Sequence, residues 1–360
     1  MPLPIMSSPI RENSITTILA VAAGKGGVGK STVAVNLALA LHEKGYSIGL
    51  LDADIYGPSL RRMLPEVRLP QQEGEWIEPA VCFGIKMISM AFFRREGQPA
   101  AIRAPIANSV ITQFLNKVLW GKLDYLIIDF PPGTGDIQLT LAQQGKMSAA
   151  ILVTTPQEVA LLDVRKAAAL FTQMRVPLLG VVENMSYYQP SHLVEPVYLF
   201  GKGGGAKLAE EEEIPLLGCI PIDPAVSFRS DRGFSLFIDD GTGLPMAAEA
   251  FRTIADNVLS ELDKLGNRTQ QRRMREFFQI DSCHFSIVWD DGQKHTYSLS
   301  DLQKECPCAA CAEQSPQINS EVRAHEMHGV GNYALKFSFN SGCSNGIYDF
   351  DMLYQLGERQ

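Results

Sequence analysis

Short aliphatic runs alternate with longer amphipathic stretches along the first 265 residues. The aliphatic runs have the length and composition of buried strands. They lie at residues 18–23, 46–51, 85–90, 123–128, 149–154, 178–183 and 216–220. The stretches suited to helices lie at residues 31–44, 106–119, 159–174, 203–213 and 245–265. Strands separated by helices of this length predict an α/β fold, with a mostly parallel sheet covered by helices on both faces.

The pattern changes near residue 277 to short alternating segments typical of β-strands. One predicted hairpin pairs residues 283–289 with 294–299, and a second pairs 333–339 with 346–350. The two turns are similar, which indicates a weak internal repeat. We therefore predict four parts: a polar N-terminal tail (1–17), an α/β domain (18–265), a basic linker (266–276) and a small β-rich, Cys-rich domain (277–360).

The charge balance argues against a nucleic-acid or membrane partner. Net charge is −8 with a pI of about 5.4, and we interpret the arginines of residues 266–276 as a solvated face. The chain has no apolar run near 18 residues, and residues 1–17 lack the pattern of a secretory signal. Four of the seven cysteines crowd late in the chain, which fits metal ligation in a reducing compartment. We expect a cytoplasmic protein.

A glycine-rich loop joins the first predicted strand to the first predicted helix. It reads Gly24-Lys25-Gly26-Gly27-Val28-Gly29-Lys30-Ser31-Thr32. The strand–loop–helix context identifies it as a P-loop, in which backbone N–H groups and the helix N-terminus surround phosphates. Lys30 would neutralise the β- and γ-phosphates, and the Ser31 hydroxyl would ligate Mg²⁺. The sequence therefore predicts a site for ATP and Mg²⁺.

Two further predicted strands end in aspartates. One delivers Asp52-Ala53-Asp54, and the other ends at Asp129, followed by Phe-Pro-Pro-Gly-Thr-Gly-Asp136. Carboxyl ends of parallel strands meet at one edge of a sheet, beside the P-loop. Asp129 has the Walker B position, from which a carboxylate reaches Mg²⁺ through water. An aspartate such as Asp52 can also cap the next segment. For Asp54 we favour a role in orienting an attacking water or holding metal-bound water.

The second lysine of the loop, Lys25, resembles the deviant Walker A motif of the Min-system, partition and nitrogenase-iron-protein ATPases. In that family this lysine reaches across a dimer to the partner's nucleotide, which implies a homodimer and a catalytic role for Lys25. Within the family, several motifs look like the Mrp-type iron–sulfur cluster carrier ATPases. They are Asp52-Ala-Asp-Ile-Tyr-Gly-Pro-Ser59, Asp129-Phe-Pro-Pro-Gly-Thr-Gly-Asp136, Glu183-Asn-Met-Ser186, Phe200-Gly-Lys-Gly-Gly-Gly205 and Ile220-Pro-Ile-Asp-Pro224.

This resemblance implies a slow, dimer-dependent ATPase that takes iron–sulfur clusters from scaffold proteins to apoproteins. It also implies that Asn184 and the turn at residues 220–224, with Pro221 and Asp223, approach the adenine. One departure matters. Typical Mrp proteins carry Cys-x-x-Cys after Asn-Met-Ser and bind a bridging 4Fe–4S cluster there, whereas residues 187–192 of this chain contain no cysteine.

The late cysteines form a dense set of soft ligands. Cys306, Cys308 and Cys311 fall within one turn, and Cys343 lies in the second hairpin turn. Four such cysteines suit Zn²⁺ and also an iron–sulfur cluster. A module of this size is marginal without a ligand, and structural Zn²⁺ contributes about 10–16 kcal/mol in finger peptides.

The same segment resembles the N-terminal domain of γ-butyrobetaine hydroxylases, through Trp289-Asp-Asp-Gly292, Cys306-Pro-Cys308-Ala-Ala-Cys311 and Gly331-Asn-Tyr-Ala-Leu335. That resemblance favours zinc. If zinc occupies the four cysteines, a cluster must bind elsewhere, at Cys219 or another lone cysteine paired across a dimer.

Two other functions fit parts of the sequence. One is a partition- or Min-type positioning ATPase, which would need a basic surface or a C-terminal amphipathic membrane helix. The segment from Asp351 to Glu358 does not supply such a helix. The other is an ATPase whose zinc tail is purely structural and recruits a protein partner.

Overall fold

The computed structural model describes residues 13–93, 104–133, 135–190, 194–239, 241, 243–269, 274–289, 291–308, 311, 322–330 and 334–358. The chain forms two compact units, Met1–Leu262 and Asp263–Gln360. The first is an α/β unit and the second is built from small antiparallel sheets. The predicted fold class is confirmed. Among the described residues, no helix is both long enough and apolar enough to cross a membrane.

The first unit contains an eight-stranded sheet. Its strands and those of a small hairpin are β1 (Ser14–Ala22), β2 (Ile48–Asp52), β3 (Gln71–Glu73), β4 (Trp76–Glu78), β5 (Ala80–Cys82), β6 (Ile85–Ser89), β7 (Lys122–Asp129), β8 (Ala149–Thr154), β9 (Leu178–Glu183) and β10 (Leu216–Cys219). The large sheet has the order β10-β9-β8-β1-β7-β2-β6-β5. Its neighbouring strands are parallel, except that β5 at the edge runs antiparallel to β6.

Helices connect these strands and cover the sheet. They are α1 (Lys30–Glu43), α2 (Leu60–Met63), α3 (Ala104–Lys117), α4 (Asp136–Gln144), α5 (Glu158–Gln173), α6 (Gly204–Glu211), α7 (Pro224–Arg232) and α8 (Met246–Thr269). Every residue of β2 and of β8 is buried. Strands covered on both faces need continuous aliphatic sequence, which is why these two could be read from the chain.

The start of the first strand differs from the prediction. Residues 14–17 were assigned to the polar tail, but β1 begins at Ser14 and pairs with Lys122 of β7. These residues alternate between exposed and half-buried, so their polar side chains do not prevent strand pairing. Residues 57–80, where the hydrophobic pattern predicts neither a strand nor a helix, contain α2, β3 and β4.

The second unit repeats one motif. The first copy is β11 (Met274–Gln279), β12 (His284–Trp289), β13 (Lys294–Ser298) and α9 (Leu299–Lys304). The second copy is β14 (Ala324–Val330), β15 (Ala334–Phe339), β16 (Ile347–Asp349) and α10 (Phe350–Glu358). Each copy is a three-stranded antiparallel sheet followed directly by a helix. Gly292 and Gly342 occupy the corresponding turns with φ of +86° and +81°.

Both predicted hairpins are present as β12–β13 and β15–β16, and the sequence missed the preceding strands β11 and β14. The predicted linker is shorter than expected. Residues 266–269 continue α8, residues 274–276 belong to β11, and residues 270–273 lie outside the described part of the chain. Aromatic side chains from both copies form a single core, which includes Phe285, Trp289, Phe337 and Tyr348.

Candidate functional site

The glycine-rich loop is fixed between two neighbouring elements. Gly29 caps α1 with φ of +83°, and a Cβ there would lie 2.1 Å from Asn184 Nδ2. At Gly24, a Cβ would lie 1.9 Å from the carbonyl carbon of Asp163 in α5. Gly26 and Gly27 would place a Cβ within 4 Å of no heavy atom among the described residues. The ends of the loop are therefore packed, and its middle is open to a ligand.

Three predicted residues meet at the start of α1. Lys30 Nζ forms an ion pair with Asp129 Oδ1, and Ser31 Oγ donates a hydrogen bond of 2.6 Å to Asp129 Oδ2. Lys30 is 7% exposed and Asp129 is fully buried. The hydroxyl and carboxylate oxygens are the kind of ligand that Mg²⁺ prefers, so this pair of side chains fits the ion.

A second buried carboxylate lies beside Asp129. Asp52 and Asp129 end β2 and β7 and are directly paired in the register. Ser89 Oγ, at the end of β6, donates a 2.8 Å hydrogen bond to Asp52 Oδ2. Burial and the charge of Asp129 raise the pKa of Asp52 to about 7. Burial also raises the pKa of Asp129, although Lys30 opposes that shift.

Asp52 also accepts a 3.2 Å hydrogen bond from the backbone N–H of Asp54, so it caps the segment that follows β2. Asp54 is half-buried, and its Oδ1 accepts a 3.0 Å hydrogen bond from the Gly57 N–H. Its charge contributes to the raised pKa of both Asp52 and Asp129. Lys25, on the loop, is half-buried. Lys25 lies on the glycine-rich loop and Asp54 lies two residues after the end of β2.

A cavity of about 670 Å³ opens beside the loop, a size suited to a small ligand. The predicted residues Thr32, Asn184, Pro221 and Asp223 are among those that line it. No sequence motif points to the other lining residues from distant elements, which include Arg62, Met63 and Phe251. Those residues reach the cavity through tertiary packing, which no local motif records.

Two of the side chains predicted to approach the adenine form hydrogen bonds with backbone groups of the protein. Asn184 Nδ2 donates a 2.8 Å hydrogen bond to the carbonyl oxygen of Val28. Asp223 caps α7, because its Oδ1 accepts from Ala225 N at 2.9 Å and its Oδ2 from Ala247 N at 3.2 Å. The side chains of these residues therefore shape the cavity wall, and Asp223 has both carboxylate oxygens engaged by backbone amides.

The four late cysteines converge in the second unit. The sulfur atoms of Cys306, Cys308, Cys311 and Cys343 all lie within 4.8 Å of one another. Four sulfurs at about 2.3 Å from a single tetrahedral Zn²⁺ would be about 3.8 Å apart. A four-iron cluster is larger and is held from outside, so its thiolates stand further apart. The observed spacing fits one metal ion.

Backbone amides donate to two of these sulfur atoms, and at Cys308 this favours the ionised thiolate. The Cys311 N–H is the main reason that the pKa of the Cys308 thiol is lowered to about 7. Cys343 Sγ accepts a 3.5 Å hydrogen bond from Asn345 N. Burial raises the pKa of the Cys306 thiol. Thiolates are the form that binds metal, and a bound cation would favour ionisation of all four.

The remaining cysteines are dispersed. Cys82 is fully buried, and burial raises the pKa of its thiol to about 12, as expected for a core residue. Cys219 is half-buried, and its sulfur lies 4.0 Å from Glu183 Oε1. Tyr187 begins the segment in which typical Mrp proteins carry cysteine, and burial, with a smaller contribution from Cys219, raises the pKa of its hydroxyl. Residues 191 and 192 of that segment lie outside the described residues.

Comparison with known protein families finds a matching family for a segment of each unit. Residues 14–259 match the ParA family described as NUBPL iron-transfer P-loop NTPase. Residues 278–354 match the γ-butyrobetaine hydroxylase-like N-terminal domain.

Individual relatives agree with the first match. A Synechocystis protein named iron–sulfur cluster carrier protein is 46% identical over 264 residues, which cover 71% of this chain and 74% of the relative. A nucleotide-binding protein from Archaeoglobus fulgidus, solved with ADP, is 38% identical with a TM-score of 0.55, and covers 64% of this chain and 93% of that one. The ATP complex of Cyanothece McdA is 15% identical with a TM-score of 0.52, covering 69% of this chain and 97% of that one, and shows likeness of fold alone.

Proposed function

Since this chain belongs to the family of NUBPL iron-transfer P-loop NTPases, we propose that it binds and hydrolyses ATP and carries iron–sulfur clusters to apoproteins. The observation that carries the nucleotide part is the convergence of Lys30 and Ser31 on Asp129, beside an open loop and a cavity. The cluster part is supported by relatives named iron–sulfur cluster carrier proteins, such as that of Synechocystis. Cluster scaffold proteins and apoproteins would be its partners.

Each residue at the carboxyl edge of the sheet, beside the glycine-rich loop, would have a distinct role in ATP hydrolysis. Lys30 would leave its ion pair with Asp129 to neutralise the β- and γ-phosphates, and Ser31 and Asp129 would hold Mg²⁺. When bound, Mg²⁺ would supply positive charge that neutralises the phosphate oxygens. Asp54, close to both buried carboxylates, orients the attacking water. Backbone N–H groups of the open loop bind the phosphate oxygens.

We also propose that the active form is a homodimer. Lys25 lies on the loop next to its open section and is half-buried, so it is available to reach a nucleotide on a second copy. A positioning function of the Min or partition type is not proposed, because the likeness to McdA concerns the fold.

The four late cysteines are proposed to hold structural Zn²⁺ and not the cargo. Their sulfur spacing, within 4.8 Å, supports a single ion. The cluster would then bind elsewhere, and Cys219 paired with its copy across a dimer is the candidate that the sequence offers. Zinc at this site would stabilise a small unit and leave it free to recruit a protein partner.

The experiment that tests the nucleotide role is Lys30→Ala. Loss of a charge-assisted phosphate contact should weaken ATP binding roughly 10- to 100-fold and abolish hydrolysis. Calorimetric ATP titration and phosphate release measure the two effects. Lys122→Ala is the matched control, because Lys122 is exposed at the opposite end of the strand that carries Asp129. Wild-type affinity and turnover in Lys30→Ala would refute the assignment.

Cluster carriage needs its own measurement. Protein reconstituted with iron and sulfide under anaerobic conditions should activate an apo iron–sulfur enzyme, and the rate should depend on ATP. The Lys30→Ala variant should lose that ATP dependence. A reconstituted protein that transfers no iron to any apoprotein tested, with or without ATP, would contradict the carrier function while leaving the ATPase intact.

A further inference from the structure

We propose that Gln303 is a positioning residue of the cysteine site. Its side-chain amide fixes the turn that carries Cys343 against the segment that carries the other three cysteines. The inference rests on the metal site proposed above, and it adds a residue that neither coordinates metal nor belongs to a cysteine motif.

The geometry ties two distant parts of the chain. Gln303 lies near the end of α9, three residues before Cys306, and is 1% exposed. Its Nε2 donates a hydrogen bond to the carbonyl oxygen of Ser341, two residues before Cys343. The turn lies directly on the amide, because a Cβ at Gly342 would be 2.6 Å from Gln303 Nε2. Gly342 also has φ of +81°, a conformation that favours glycine. Both the close approach of Gln303 and this backbone angle therefore require glycine at position 342.

The other end of the amide argues against a role in core packing alone. Gln303 Oε1 is buried and has no hydrogen-bond partner among the described residues. An unsatisfied buried acceptor is destabilising, and an apolar side chain of the same length would avoid that cost. Since core packing alone would favour an apolar residue, we assign the glutamine to the hydrogen bond that its Nε2 donates to the turn of the fourth ligand.

A second bond flanks the site on the other side. The Tyr348 hydroxyl donates a 2.8 Å hydrogen bond to the carbonyl oxygen of Leu302, and the Tyr348 ring is fully buried. Gly346 is packed against the site as well, since a Cβ there would lie 2.8 Å from Cys306 Sγ. Cys343 is thus held between two points, Ser341 and Tyr348, that are both bonded to α9.

This arrangement orders the ligands before the metal arrives. If the turn that carries Cys343 were free, metal binding would have to order it, and that ordering costs conformational entropy. Residues that orient first-sphere ligands typically change metal affinity 10- to 100-fold when they are replaced. We expect an effect of that size from the loss of the Gln303 bond.

The test uses full-length protein with Gln303→Met, which keeps side-chain length but removes the donor. Zn²⁺ affinity is measured by competition with a chromophoric chelator, and Co²⁺ absorption reports the thiolate geometry. The variant should bind Zn²⁺ about 10- to 100-fold more weakly. Gln293→Met, at an exposed glutamine of the same unit, should bind like wild type.

Three results would overturn the proposal. One is wild-type Zn²⁺ affinity in Gln303→Met. Another is an equal loss of stability to urea with and without Zn²⁺, which would give Gln303 a structural role only. The third is a wild-type protein that binds no Zn²⁺, which would remove the metal site itself but leave ATP binding unaffected.

A milder variant covers the case in which Gln303→Met fails to fold. Tyr348→Phe removes only the hydroxyl that bonds to Leu302 and keeps the buried ring. It should weaken Zn²⁺ binding in the same direction and need more Co²⁺ to reach the wild-type spectrum. Unchanged binding in Tyr348→Phe would contradict the role of these bonds in holding the fourth ligand.

Discussion

At the scale of single residues, the buried carboxylates of Asp52 and Asp129 set the electrostatics of the sheet edge beside the glycine-rich loop. Lys30 is bonded to Asp129, and Asp52 is left with a hydroxyl and a backbone amide as its described partners. Burial and the charge of Asp129 raise the pKa of Asp52 from its usual value of 3.8 to about 7. Between these values the folded protein holds a proton that the unfolded chain releases. The contribution of Asp52 to stability therefore falls as pH rises through this window.

Replacing Asp52 with Asn should remove this pH dependence, because the amide oxygen still accepts from Ser89 without a charge beside Asp129. We expect Asp52→Asn to be more stable than wild type by about 1–4 kcal/mol at pH 8, with the gain shrinking toward pH 4. Urea unfolding from pH 4 to 8, without nucleotide or metal, measures it.

The matched control for this experiment is Asp124→Asn, since Asp124 is only half-buried and hydrogen bonds from Ser47 lower its pKa. That variant should gain no stability above pH 7. A gain in Asp52→Asn that stays constant across the pH range would contradict the raised pKa.

The sequence could identify Lys30, Ser31 and Asp129, because each follows from a local motif at a strand or helix end. It could not identify Ser89 as a partner of Asp52, which depends on the register between β2 and β6. Gln303 was missed for a similar reason. Its bond joins the two halves of an internal repeat, and no spacing along the chain records that contact.

At the scale of elements, the P-loop depends on close packing against α5. Gly24→Ala would place a Cβ 1.9 Å from the Asp163 carbonyl carbon, and backbone on both sides cannot yield cheaply. We expect a loss of at least 1–3 kcal/mol, the usual range for overpacking, and weaker ATP binding. Gly26→Ala has no such contact and should unfold at the wild-type temperature. Thermal unfolding without nucleotide compares the two, and equal midpoints would show that α5 does not constrain the loop.

At this scale, the sequence predicted well the strands whose residues are all buried. It did not predict exposed strands such as β11, which are strands because a neighbouring strand pairs with them. All six residues of β8 are buried, and its aliphatic sequence reads as a strand without further information. β11 is mostly exposed, with Arg275 and Glu276 in its middle, and resembles a charged linker. It is a strand because β12 supplies an antiparallel partner. The helix α7 was also missed, because it is short and only one of its residues is buried.

At the scale of the whole molecule, the proposed dimer makes activity depend on concentration. Lys25→Ala should keep ATP affinity near wild type but lose hydrolysis, because Lys25 acts on the nucleotide of the other copy. Specific activity of wild-type protein should also fall on dilution. Mixing Lys25→Ala with Lys30→Ala should restore part of the activity, since each supplies what the other lacks. Hydrolysis that is independent of concentration in wild type would rule out action across a dimer.

The last question is which part of the molecule holds the cluster. Cys308→Ser removes one of the four sulfurs that lie within 4.8 Å of one another. If these hold zinc, bound zinc should fall to background in this variant, while protein reconstituted with iron and sulfide keeps its brown chromophore. Cys219→Ser should then show the reverse, with zinc retained and the chromophore lost. Metal analysis and visible absorption of the two full-length variants separate these cases. Loss of the chromophore in Cys308→Ser, with iron in place of zinc in wild type, would instead make the second unit the carrier.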